Sequence, residues 1–159
     1  MSDKVEPVPE RLHTISTRLV FAHEAAKAIE FYAKAFGAEP VAESFVDPDG
    51  NVIHAEIRIG DSVIFVTDEG DDNGAAPSSV GGRVTAIMAI NIPDVDVMWN
   101  RALEAGGEVI YPLDNHFYGD RGGRLRDPFG HQWMLSTHIE DVDAEEMQRR
   151  MQQYMDSNG

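Results

Sequence analysis

The sequence predicts an α+β protein: two consecutive βαβββ modules whose curved mixed sheets form a cleft, followed by a C-terminal helix. Three observations predict this. A strand–helix–glycine–strand pattern runs through residues 15–21 and "AKAIEFYAKAFGAEPV" at 26–41. It returns about seventy residues later in residues 84–92 and "DVDVMWNRALEAGGEVI" at 94–110, the fixed-period echo of a duplicated supersecondary unit. Past His138 the pattern changes to methionines at four-residue steps, one stripe of a separate helix.

Each element has a local reason. Residues 15–21 are rich in β-branched and apolar side chains and suit a strand. Ala25, Ala28, Ile29, Tyr32 and Phe36 recur at helical spacing over 24–36, and Gly37 supplies a left-handed end. A second strand covers 39–45, and "DPDGN" at 47–51 makes a hairpin turn. In the third strand, 52–59, Val52, His54, Glu56 and Arg58 alternate with Ile53, Ala55, Ile57 and Ile59. Gly60 and Asp61 turn the chain into a fourth strand at 62–67. In the second copy Asp94 caps a helix over 95–105 that stops at Gly106 and Gly107. A strand at 108–111, a long loop "PLDNHFYGDRGG", a strand holding Leu125 and Arg126, the turn "DPFG" and a last strand at 131–136 complete it. Asp143, with Glu146 three residues on, has the spacing of a capping box. Met147, Met151, Tyr154 and Met155 give the tail helix a face that docks on the domain or on a second subunit. The chain thus divides into an N-terminal extension (1–12), a first module (13–67), an acidic linker (68–82), a second module (83–138) and a C-terminal helix and tail (139–159).

Composition narrows the function. The 159 residues suffice for a core without staples, and no cysteine is present, which removes disulfides, thiolate metal sites and cysteine nucleophiles. No apolar run approaches the roughly 18 residues of a membrane span, and the N-terminus lacks the apolar stretch of a signal peptide, so a cytoplasmic protein is expected. A net charge of −15 excludes nucleic acid as a partner and favours cationic small molecules. The glycines of "IGDSVIF" and "GDRGG" lack phosphate-loop spacing, and Ser78 and Ser79 sit in a polar linker without a nucleophile elbow.

The two βαβββ units, with "AIEFYAKAFGAE", "DVDVMWNRALEAGGEVI" and above all "YGDRGGRLRDPFGHQWMLSTH", resemble the vicinal oxygen chelate superfamily of glyoxalases, bleomycin-resistance proteins and extradiol dioxygenases, and most of all its PhnB-like branch. The resemblance covers about residues 13–138. It implies the glyoxalase/bleomycin-resistance fold. It also implies a test, because enzymes of that family hold a divalent metal with His, Gln or Glu from the first and last strand of each unit. Those positions fall at Thr17, Phe65, Ile87 and Met134, none of them a good ligand. Neither a cofactor nor catalytic residues are therefore expected. If a metal is held, the fallback pair is His54 and Glu56, which share one strand face; His116, His131 and His138 are a further candidate cluster. Asp68 lies three residues past the family position.

Without the metal, the resemblance points to small-molecule binding in the inter-module cleft without turnover, as in sequestering drug-resistance proteins. The expected lining is Phe65, Met88, Phe117, Tyr118, Arg121, Trp133, Met134 and Glu56, with Glu56 or Asp114 facing a cationic group on an aromatic ligand. Trp133 faces either the cleft or the helix layer. Arg121, Arg124 and Arg126 pair locally with Asp120 and Asp127, or Arg121 reaches the cleft to hold a carboxylate or phosphonate. Two other readings stay open: a lyase, isomerase or dioxygenase with a relocated metal, and a dimeric interaction module. The resemblance also implies a homodimer.

Overall fold

A computed structural model describes residues 4–72 and 74–159. The chain divides into two compact units between Val84 and Thr85, each with its own sheet and helix. The architecture is α+β, two mixed sheets each covered by a helix, with a C-terminal helix, as the sequence predicts.

The first unit contains β1 (Arg18–Phe21), α1 (Ala25–Phe36), β2 (Glu39–Pro40), β3 (Phe45–Val46), β4 (Val52–Ile59) and β5 (Ser62–Asp68). The sheet order is β1-β5-β4-β2, with β3 also on β4; β1 runs parallel to β5 and the other pairs are antiparallel. Leu19, Val66 and Ala55 stand abreast on one face, as do Ile57 and Ile64. That face is covered by Ala25, Ala28, Phe31, Tyr32, Ala35 and Phe36 of α1, all buried. Each large side chain so covered contributes roughly 1.5–3 kcal/mol. Gly37, at φ 68°, ends the helix by donating its N–H to Ala33 O at 3.1 Å.

Three details differ from the expected strands. The first begins at Arg18, leaving Ile15 exposed. The second survives only at its ends, because Pro40 offers no N–H and the chain then swings off β4. At β3 the register steps from Phe45↔His54 to Val46↔Val52, so Ile53 is an extra residue that reverses the alternation. Val52 is consequently buried and Ile53 half-exposed, while His54, Glu56 and Arg58 keep the face opposite α1.

The second unit contains β6 (Met88–Asn91), α2 (Val95–Ala105), β7 (Glu108–Asn115), β8 (Asp120–Arg126), β9 (Gln132–His138) and α3 (Ala144–Asn158), with sheet order β6-β9-β8-β7. Val95, Trp99 and Ala102 of α2 cover Leu125, Trp133 and Leu135. Trp99 lies so close that a Cβ on Gly123 would sit 2.7 Å from its ring. The expected long loop is instead a hairpin whose turn closes with His116 N–H on Asp120 O at 2.7 Å. Pro112 and two register shifts hid β7 from the alternation rule; as an edge strand it tolerates both.

The same two devices anchor both units. Asp68, at the end of β5, accepts the first helical N–H of α1, from Ala25 at 2.9 Å, and also the N–H of Val52 at 2.8 Å. Thr137, near the end of β9, accepts the first N–H of α2, from Val95 at 2.8 Å, and donates to Ile92 O. Asp47 and Asp127 each fold a "DPxG" turn by accepting two backbone N–H groups, although the turn precedes β4 in one unit and β9 in the other.

Helix α3 starts at Asp143, whose side chain accepts from Glu146 N–H at 2.9 Å. The other half of a capping box is spent elsewhere: the Glu146 carboxylate is clamped by Arg149 and Arg150, which push its pKa down to about 2. Arg150 also grips Glu140 and the Phe117 carbonyl, and Tyr154 packs on Phe117 at 5.2 Å. Met151, Tyr154 and Met155 remain about half-exposed.

Replacing Asp68 by Ala strands two buried N–H groups and is expected to lower unfolding free energy by about 1–3 kcal/mol in urea titration. An unchanged midpoint would show that the pin is dispensable.

Candidate functional site

Since α2 covers one face of its sheet, strand alternation leaves Tyr111, Arg124, Met134, Gly122 and Ser136 on the other. Register sets Arg124 beside both Tyr111 and Met134, and Gly122 beside Ser136. The glycine leaves a floor without side chain, and a cavity of about 170 Å³ opens above it, walled by Tyr111, His116, Tyr118, Asp120, Arg124 and Met134. His116 Nε2 donates to Gly122 O at 3.0 Å, and its ring stacks on Tyr118 at 5.1 Å with only 3° between planes. Phe117 meets Tyr118 edge-on at 5.4 Å. Partial burial, then the charge of Asp120, raises the Tyr118 pKa and keeps its hydroxyl protonated. The Arg124 guanidinium lies 5.2 Å from the centre of the Tyr111 ring.

At the rim, His138 holds Asp120 through Nδ1 and Asp141 through Nε2, both at 2.8 Å. Both ring nitrogens face acceptors, so the imidazolium is favoured. The hydrogen bond to Asp120, then that to Asp141, raises the His138 pKa.

The open face of the first sheet carries Glu56, His54 and Phe65. Glu56 is buried, and Arg11 from the N-terminal segment takes both its oxygens, at 2.6 and 3.1 Å. That pair, more than the contact of His54 Nε2 at 3.3 Å, depresses the Glu56 pKa against its burial. His54 in turn meets Phe65 edge-on at 5.0 Å.

Residues 11–135 match the family model of the glyoxalase/bleomycin resistance protein/dioxygenase superfamily. The chain belongs to that superfamily. It is 36% identical over 155 residues to the uncharacterized protein Mb0911c of Mycobacterium bovis, covering 95% of this chain and 96% of that one. Among solved structures it is similar to the PhnB protein of Bacillus cereus, with a TM-score of 0.61, 21% identity and coverage of 79% and 99% of the two chains. It is also similar to the fosfomycin resistance protein FosX of Listeria monocytogenes, with a TM-score of 0.58, 20% identity and coverage of 85% and 97%.

The side chains of this superfamily member do not fit the metal that the superfamily implies. Thr17 precedes β1 and gives its carbonyl to Phe65 N–H at 2.8 Å; Ile87 precedes β6; Phe65 and Met134 lie in β5 and β9. Two apolar side chains, a thioether and one hydroxyl make no divalent-ion set. Among the described residues no group of three or more His, Asp or Glu is placed to hold a metal ion. In the fallback pair, both Glu56 oxygens are already taken by Arg11, and His54 bonds Glu56 itself. His116 and His138 flank Asp120, whereas His131 lies at the opposite end of β9.

The remaining expected lining residues separate. Tyr118 and Met134 wall the cavity. Phe117 packs between Tyr118 and the tail helix. Met88 pairs with Trp133 on the α2 side, and Trp133 is buried with Nε1 donating to Asp127 at 2.9 Å. Arg121 also faces α2: it pairs with Asp96 at 2.8 and 2.9 Å rather than with Asp120 or Asp127. Arg126 pairs with Glu108. Asp114 is exposed, bonded to the N–H of Asn115 and outside the cavity lining. Of the ligand groups that sequence reasoning passed over, Arg124 is brought in by the alternation of β8, two residues before Arg126 on the same face, and Tyr111 by the β7–β8 register that sets it beside Arg124.

His138 is expected to titrate above the ordinary histidine range in NMR, and Asp120→Asn to return it toward that range. A raised folded pKa stabilises fully below the unfolded value, and the effect fades as pH climbs through the folded one. An ordinary titration in the unsubstituted protein would contradict the bridge.

Proposed function

We propose that this superfamily member binds a small organic molecule on the open face of its second unit and does not transform it. The observation that supports this most is the aromatic cavity of Tyr111, Tyr118 and Met134, in which Met134 occupies one of the positions where the family's enzymes place a metal ligand. A thioether and two phenol rings offer contact area and stacking, but no Lewis acid and no nucleophile. The similarity to a fosfomycin resistance protein is in keeping with a fold that handles small molecules. No helix among the described residues is long and apolar enough to cross a membrane, which suits the cytoplasmic setting we propose.

A homodimer is part of the same proposal. Met151, Tyr154 and Met155 form a half-exposed apolar stripe on α3, and a second copy would cover it. Met151→Glu with Met155→Glu is then expected to shift sedimentation from dimer to monomer; a monomer in the unsubstituted protein would remove this part.

For the site itself, benzyl alcohol is expected to shift the amide resonances of Gly122, Gly123 and Ser136 saturably at millimolar concentration. Tyr118→Ala should weaken it roughly 2- to 10-fold, the value of one aromatic contact. Absence of saturable shifts there would refute the cavity as a ligand site.

A further inference from the structure

We infer that the ligand of this cavity is a planar aromatic monocarboxylate, whose carboxylate Arg124 holds. The inference rests on the proposal that the cavity is a ligand site, and it reverses the sign of ligand charge that composition favours.

The chain carries 28 acidic against 13 basic side chains. Six of the ten arginines, Arg11, Arg58, Arg121, Arg126, Arg149 and Arg150, pair with a carboxylate within 4 Å. Arg124 has no such pairing among the described residues. Its Nε is buried without a hydrogen-bond partner, and Nη2 meets the soft sulfur of Met134 at 3.9 Å. A guanidinium is a planar fork of donors shaped for a carboxylate, so a part-buried fork bonded to no oxygen is a site lacking its acceptor. Resting on the Tyr111 ring at 5.2 Å holds the plane in place and leaves its edge for a bidentate pair.

The acid in the same cavity does not cancel this charge. Asp120 makes no ion pair with Arg124 and is engaged at the rim by His138, which it shares with Asp141, so the Arg124 guanidinium is the cation of the lining left for a ligand. Asp114 does not line the cavity. A dianion would still place its second charge toward Asp120, which selects a single negative charge. There is room for one ring: an enclosed cavity of about 150 Å³ holds benzene, and this half-open one measures about 170 Å³. The stacked His116–Tyr118 pair gives that ring a flat wall.

The test compares benzoate, benzyl alcohol and benzylammonium by NMR titration at low salt, in the unsubstituted protein and in Arg124→Gln and Arg124→Lys. Benzoate is expected to bind about tenfold or more tighter than benzyl alcohol, as a charge-assisted pair should. Arg124→Gln should erase that preference, bringing benzoate and benzyl alcohol to similar affinity, and Arg124→Lys should keep part of it. Benzoate binding no tighter than benzyl alcohol overturns the inference while leaving the ligand site standing. So does a preference that survives Arg124→Gln, or benzylammonium binding tightest. Failure of all three probes overturns the site reading as well. Should Arg124→Gln not fold, the ranking of probes in the unsubstituted protein and in Arg124→Lys decides.

Discussion

Helices α1 and α2 are each pinned to their sheet by one side chain at the end of the unit's last strand, and the rest of the architecture depends on that pin. Asp68 accepts from Ala25 and Thr137 from Val95. The first N–H of a helix has no partner within the helix, so a buried helix start demands one from elsewhere. Supplying it from the strand that pairs with β1 or β6 fixes the helix over the central strands and buries one face of the sheet. A unit with a single helix against its sheet has nothing of its own for the other face. That face must remain open, be covered by another surface, or hold a ligand.

The two units fill their open faces differently. In the first, Arg11 folds onto Glu56 and satisfies a buried carboxylate at the cost of a free surface. In the second, Gly122 and the displaced edge strand β7 leave space, and Arg124 stands over Tyr111 without a carboxylate. Global charge and local charge therefore disagree. The net charge of −15 belongs to the whole chain, whereas in the cavity Asp120 is turned to His138 at the rim and the Arg124 guanidinium stands without an ion pair. For a ligand touching only these groups, local desolvated contacts outweigh a screened surface excess.

Much of the fold is legible in the sequence because it rests on periodicity. The apolar spacing from Ala25 to Phe36, the stop at Gly37 and the "DPxG" turns all read directly. The irregular strands do not. Ile53 is a bulge that inverts the alternation of β4, and Pro112 with two register shifts disguises β7 as loop. Tyr118 and Met134 are legible as lining, since an aromatic flanked by turn residues and an apolar residue at a family ligand position are local signals. Arg121 and Arg124 are not separable by eye in "GDRGGRLR". Only the register of β8 sends one to Asp96 of α2 and the other over Tyr111. Side-chain direction in a strand is a period-two property, and a one-residue uncertainty in where β8 begins exchanges their roles.

The central claim is that the superfamily's metal positions no longer hold a metal and that one of them, Met134, walls an organic ligand site in the second unit. Elemental mass spectrometry of the natively purified protein, before and after soaking with Zn(II), Mn(II), Ni(II) and Fe(II), tests it most directly. The account predicts no metal at stoichiometric level in any of these samples. One equivalent per chain, lost in His54→Ala or Glu56→Gln, would contradict it and place a metal site on the open face of the first unit.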